Sequence, residues 1–96
     1  MMFRHGDVLV MKVDEIPSEV KKLDHRVLAY GEVTGHAHRL DVGELFETRN
    51  GELYLKMKKA GKLSHEEHNT INIPKGNYRV VHQREYTPEA IRRVLD

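Results

Sequence analysis

The dipeptide Asn50-Gly51 constrains the fold most, because it separates two segments in which apolar and polar residues alternate. Asn-Gly readily adopts the positive φ angles of a tight hairpin turn. In an extended second segment the apolar residues share one face and lysines share the other: Leu53, Leu55 and Met57 against Lys56 and Lys58. Residues 43–59 are therefore predicted to form a β-hairpin.

Most of the remaining chain also favours short strands. The run "GDVLVMKVD" has apolar residues on both parities, which is typical of a buried strand, and "HRVLAYGEVTG" predicts a second strand. "NTINIPKGNYRVVHQREY" is predicted to be another hairpin that turns at Pro74–Asn77. "IPSEVKKL" is interpreted as one helical turn.

The C-terminal segment "TPEAIRRVLD" has a different pattern. Thr87 is a candidate N-cap and Pro88 suits the first helical position. Apolar residues then recur at helical spacing, which predicts a short helix from about residue 88. The expected fold is a single domain over residues 1–96, mostly β, forming a small antiparallel barrel or sandwich with a short C-terminal helix.

Composition narrows the class of protein. The chain has 39% hydrophobic and 32% charged residues, no cysteine and no membrane-length apolar run, so a cytoplasmic protein without a membrane association is expected. Abundant charge and few amides hint at a thermophilic source. Residues 1–48 have a net charge of −3 and residues 49–96 of +4. The basic half suggests a phosphate-containing or RNA ligand, although a solvated strand face gives the same pattern.

Histidine is the outlier, with seven residues among 96. His36 and His38 share a face if their segment is extended, and same-face neighbours lie only about 7 Å apart. His65 and His68, in "HEEH", would come together in a turn, although Ser64 and Glu67 also fit a capping box. These four histidines are the candidate metal ligands. Such a site suits a transition metal ion (Zn, Fe, Ni or Cu) and would permit hydrolase or oxygenase chemistry.

Two other interpretations remain open. Histidines in different environments can act as acid and base without metal, as in an RNase or a cyclic-nucleotide hydrolase. In such a phosphodiesterase Arg39, Lys62 or Arg84 would hold the phosphate. The candidate catalytic residues are His82, Glu66 and Arg84. The third interpretation is a non-enzymatic binding or assembly module. A homo-oligomer is expected because the edges of small sheets must be covered.

Two resemblances accompany these patterns. "GHAHRL" followed by "IPKGNYRVVH" locally resembles cupins, in which an HxH strand faces a later histidine in a small barrel. That resemblance implies metal ligation by His36 and His38, with Glu44 and His82 as further ligands. The motifs "GEVTGHAHRL", "HEEH" and "QREYTPEAIRRV" are similar to those of a family of small uncharacterised prokaryotic proteins, which implies no particular activity.

Overall fold

The structure is a computed structural model that describes residues 1–30 and 35–82. Ten strands lie within those residues: β1 (Met2–His5), β2 (Val8–Val13), β3 (Val20–Lys22), β4 (Val27–Tyr30), β5 (Ala37–Leu40), β6 (Glu44–Thr48), β7 (Leu53–Met57), β8 (Gly61–Ser64), β9 (Ile71–Ile73) and β10 (Gly76–His82). The predicted C-terminal helix and Arg84 lie outside the described residues. Within the described ranges, no helix has the length and apolar character needed to cross a membrane.

The strands form two antiparallel sheets. One has six strands in the order β1-β2-β10-β7-β6-β3, and the other has four in the order β4-β5-β8-β9. Both sheets contribute to one hydrophobic core, in which Val8, Leu55 and Tyr78 come from the larger sheet and Leu28 and Leu63 from the smaller. The predicted fold class, mostly β with antiparallel strands, is confirmed.

The hairpin at Asn50-Gly51 is present, with β6 pairing β7. Within its turn only Gly51 has a positive φ, of 85°. The Gly51 N–H donates to the Thr48 carbonyl at 3.0 Å, and the Thr48 N–H donates to the Glu52 carbonyl at 2.9 Å. The connection therefore resembles a type I turn followed by a left-handed glycine, a common longer hairpin loop.

Two local predictions were wrong. The segment predicted as a helical turn contains strand β3, because Val20–Lys22 pairs with β6 and this pairing overrides a weak local preference. The residues around Pro74 do not join a hairpin, since β9 pairs with β8 in the smaller sheet whereas β10 pairs with β2 and β7 in the larger. The Tyr78 hydroxyl donates to the Pro74 carbonyl at 2.9 Å and holds this corner.

A hairpin that the sequence analysis did not predict begins the chain. β1 pairs with β2 so that His5 lies opposite Val8, and Gly6-Asp7 form a two-residue connection. Gly6 has a φ of 61°, which a type II′ turn requires at its first central position. Val8, Leu9 and Val10 are then fully buried, as expected for a strand that is apolar on both parities.

Candidate metal centre

Five histidines converge where the two sheets meet. His5 ends β1, His36 directly precedes β5, His38 lies within β5, and His65 and His68 follow β8. The ring centroids of His38 and His65 are 4.4 Å apart, and those of His65 and His68 are 4.6 Å apart. His36 lies at the border, with its centroid 5.7 Å from that of His65. The structure thus brings together all four histidines singled out in the sequence and adds His5.

Hydrogen bonds fix the orientation of the His38 ring. His5 Nε2 lies 2.8 Å from the carbonyl oxygen of Asn69, which can only accept, so Nε2 carries the proton of His5. The Nδ1 of a neutral His5 is then an acceptor, and it lies 2.8 Å from His38 Nδ1. His38 Nδ1 must therefore donate, which leaves His38 Nε2 with a free lone pair. We call this chain, from His38 through His5 to Asn69, the imidazole relay.

The lone pair of His38 Nε2 faces a carboxylate. Asp7 Oδ1 lies 3.2 Å from Nε2, and the Asp7 side chain is 65% exposed whereas that of His38 is 1% exposed. An ionised carboxylate only accepts hydrogen bonds, so Asp7 and the neutral His38 present two acceptors to each other. A proton or a metal cation between them would satisfy both groups.

Burial disfavours protonation of His38 and His5. Desolvation, followed by the charges of His65 and His5, lowers the pKa of His38 from 6.5 to about 4. Burial also lowers the pKa of His5, with His68 and His65 adding to that effect. Both rings of the relay are therefore neutral near pH 7, which is the form that binds metals.

Three imidazoles can share one ion. His38, His65 and His68 each offer a ring nitrogen, and these nitrogens all lie within 4.8 Å of one another. Nitrogens that ligate one zinc at about 2.0–2.1 Å in a tetrahedron lie about 3.4 Å apart, so no pair in the set needs to approach by more than about 1.4 Å. His65 and His68 lie in the loop between β8 and β9, so the movement falls on loop side chains and not on a strand.

His65 holds one contact that ligation would affect. Its Nδ1 accepts a hydrogen bond from the Glu67 N–H at 3.0 Å. A neutral ring in that state carries its proton on Nε2. His65 can ligate through Nδ1, or through Nε2 after its proton moves to Nδ1. Either mode uses the Nδ1 lone pair that accepts from Glu67, so either mode loses this turn contact.

Gly6 provides the space in which the His68 ring lies. A Cβ atom at Gly6 would be 2.5 Å from His68 Nε2 and 3.1 Å from His38 Cε1. Both the left-handed φ and this close approach therefore require glycine, and the Gly6-Asp7 turn shapes the floor of the cluster.

A second group of potential ligands flanks the first and shares His65 with it: His36, His65 and Glu66. Glu66 is already engaged, because it accepts from the Ala37 N–H and from Arg39 Nη1, both at 2.7 Å. These contacts, the Ala37 N–H first, hold the pKa of Glu66 below its usual value. Glu66 therefore braces the HEEH loop against β5.

The capping-box interpretation of the HEEH loop was wrong. The Ser64 hydroxyl donates to the carbonyl of Arg39 at 3.4 Å, and Glu67 Oε1 lies 3.3 Å from His36 Nδ1. The loop follows β8 as a bend that starts no helix, so neither side chain caps one.

Two residues implied by the cupin resemblance lie apart from the three-imidazole group. Glu44 contacts Lys22 and Lys58 through its carboxylate. His82 lies opposite Val8, whose other neighbour is His5, so His82 is on the same sheet face two strands from His5. The ring contacts among the described histidines do not include His82.

Sequence reasoning missed His5 and Asp7. A signal was available, because Gly-Asp between two apolar-rich runs is typical of a two-residue hairpin. That reading places His5 at the end of a strand and Asp7 in its turn. The contact of His5 with His38 crosses between the sheets, and no local pattern predicts it.

One known family matches most of the chain. Residues 4–83 match the family described as Domain of unknown function (DUF8820). The chain belongs to that family. All five clustered histidines, Asp7 and Asn69 lie inside the DUF8820 region, and the predicted C-terminal helix lies beyond it. No curated protein and no solved structure matches the chain.

Proposed function

We propose that this domain binds a transition metal ion through His38, His65 and His68, with the Asp7 carboxylate as fourth ligand. One observation carries the proposal: three imidazole nitrogens lie within 4.8 Å of one another, and the imidazole relay leaves His38 Nε2 as a free acceptor. In known metal sites a ligating histidine commonly donates its second ring nitrogen to another group in this way.

The ligand types favour some ions over others. Three nitrogens and one carboxylate oxygen suit Zn²⁺, Fe²⁺, Ni²⁺ or Cu²⁺, whereas Ca²⁺ and Mg²⁺ prefer oxygen ligands throughout. Four ligands in a tetrahedral arrangement are typical of zinc. We therefore expect Zn²⁺ to bind well, with Cu²⁺ tighter in a competition at equal free concentration, as the Irving–Williams order requires.

Asp7 determines what the site can do. Its side chain is 65% exposed and lies in a two-residue turn, so it can withdraw at less cost than a buried ligand. With Asp7 withdrawn, three imidazoles and an open position remain, an arrangement found in catalytic zinc sites. An ion so held would polarise a substrate oxygen or activate water, as in a metal-dependent hydrolase. An oxygenase would require a redox-active ion such as Fe²⁺ or Cu²⁺ in the same position.

The test is metal content and affinity in protein prepared without a histidine tag. We expect close to one equivalent of transition metal after purification, or one Zn²⁺ bound per chain in calorimetric titration of chelator-treated protein. His38→Ala should abolish that binding. His25→Ala is the matched control, because His25 is exposed and lies after β3, outside the cluster. Equal Zn²⁺ binding by both variants, or no binding by the parent chain, would refute the proposal.

The other two interpretations have weaker support. Arg39, one of the cations that could hold a phosphate, is paired with Glu66, and the catalytic candidate His82 stands apart from the ring contacts, so the acid–base interpretation has less support. Activity on an oligonucleotide in excess chelator would nevertheless favour the acid–base enzyme. Self-association stays a prediction, and light scattering at high protein concentration tests it.

A further inference from the structure

A second concave site lies beyond the C-terminal end of β5, away from the histidine cluster. It is a cleft of about 690 Å³, within the range of small-molecule sites. Three segments line it: Lys22–Arg26 from the last residue of β3 onward, Val42–Leu45 before and into β6, and Lys56, Lys58 and Lys59 around the end of β7.

The charge of this cleft is strongly positive. Five lysine and arginine side chains line it against two carboxylates, those of Asp24 and Glu44. With His25 neutral, the lining has a net charge of +3, although the whole chain has only +1. The cleft therefore concentrates the positive charge of the molecule at one place.

The contacts inside the cleft leave mainly donors available. Glu44 receives Lys22 Nζ at 2.9 Å and Lys58 Nζ at 3.2 Å, so one carboxylate fixes two ammonium groups. Arg26 donates its Nε–H to the Gly43 carbonyl at 3.2 Å, which leaves both terminal guanidinium nitrogens. His25 Nδ1 accepts from the Val27 N–H at 3.2 Å, so its proton is on Nε2. A ligand that complements these groups must supply acceptors.

The cleft also has an apolar part. Leu23 and Val42 are half-buried and Leu45 is buried, and all three line it. A multiply charged acceptor group suits the cationic rim better than a single carboxylate, because several charge-assisted bonds can form at once. We propose that this cleft binds a small phosphate monoester whose organic body packs on the apolar side.

The proposal is tested by amide chemical shifts in chelator-treated full-length protein, so that phosphate cannot bind a metal at the histidines. The probes are AMP, adenosine and inorganic phosphate. We expect AMP to shift residues 22–26, 42–45 and 56–59, with tighter binding than either adenosine or inorganic phosphate. Shifts centred on the HEEH loop, or equal binding of AMP and inorganic phosphate, would overturn the proposal.

Charge reversal provides the matched pair of variants. Lys59 is exposed and lines the cleft, whereas Lys75 is also exposed but lies at the corner before β10. Lys59→Glu should weaken AMP binding about tenfold or more, because it replaces a charge-assisted donor with a carboxylate that repels the phosphate. Lys75→Glu should retain the parent affinity. Equal losses in the two variants would show only a response to net charge and would overturn the site.

Discussion

The substitution Gly6→Ala removes the space that the His68 ring occupies. A Cβ at this position would lie 2.5 Å from His68 Nε2 and 2.8 Å from its Cδ2. Real Cβ atoms do not approach other atoms this closely, so the ring must move away. The nearest His38 atom is at 3.1 Å and needs only a small adjustment. We therefore expect the alanine to displace one ligand and to leave the imidazole relay in place.

The magnitude has two parts that a control variant separates. Alanine in the αL region costs about 1–2 kcal/mol of folding stability, and it costs more at the first central position of a type II′ turn, which strongly favours glycine. Gly51→Ala has only the smaller backbone cost, at a φ of 85°, and nothing lies within 4 Å of its Cβ. In chelator we therefore expect Gly51→Ala to lose about 1–2 kcal/mol and Gly6→Ala to lose at least as much. Only Gly6→Ala should also lose metal affinity, by about 10–100-fold, since supporting changes around metal ligands have effects of that size.

The assay is Zn²⁺ titration against a competing chelator, with urea denaturation of both metal-free variants. Zinc binding by Gly6→Ala at the parent affinity would show that His68 is not a ligand and would refute the reasoning. Equal loss of affinity in Gly51→Ala would show that the effect comes from general destabilisation.

Three further results are expected. The pKa of His38 is about 4 in the folded chain and 6.5 in the unfolded chain, so the unfolded chain takes up the proton first as the pH falls. The free energy of unfolding should therefore be highest above about pH 6.5 and should fall by up to about 3 kcal/mol as the pH drops to 4. Urea denaturation of metal-free protein between pH 7.5 and 4 measures this, and a flat profile would contradict it. Zn²⁺ at one hundred times its Kd should add about 2.7 kcal/mol to the parent domain and nothing to His38→Ala, as shown by Tm with and without EDTA. His5→Leu should lower Zn²⁺ affinity about 10–100-fold in the same titration, and parent affinity would argue against the relay.

The parts of the fold that local chemistry determines could be predicted from the sequence. Asn50-Gly51 lies between two segments in which apolar and polar residues alternate, so the turn residues and the strand pattern predict the same hairpin. The burial of Val8–Val10 followed from a run that is apolar on both parities. Pro74 correctly marked a break between two strands, but such a break does not specify which sheet the next strand joins. The pairing of β3 with β6 is equally non-local, and a three-residue strand is too short to show the two-residue alternation that predicts a strand.

In the candidate site, too, local patterns predicted some features, and the packing of distant segments determined the others. His36 and His38 were grouped by the two-residue period of a strand, and His65 and His68 by their place in one short loop. Their convergence follows from the pairing of β5 with β8, which aligns Arg39 with Ser64 and so brings the two motifs together. His5 is 33 residues from His38 along the chain, and its contact depends on how the two sheets pack.

The two buried imidazoles of the imidazole relay are a costly way to fill the junction between the two sheets, which raises the question of what His5 does there. Apolar side chains of similar volume could fill the junction without any need for hydrogen-bond partners. If His5 only packs, His5→Leu should leave metal affinity unchanged and maintain the metal-free stability. If His5 orients His38, the same variant leaves His38 Nδ1 without its partner and lets the ring turn, so affinity falls even where stability does not. His5→Gln can still accept a hydrogen bond from His38 and donate to Asn69, and it should recover part of the lost affinity. Recovery by glutamine but not by leucine would assign His5 to ring orientation, since packing alone predicts no such difference.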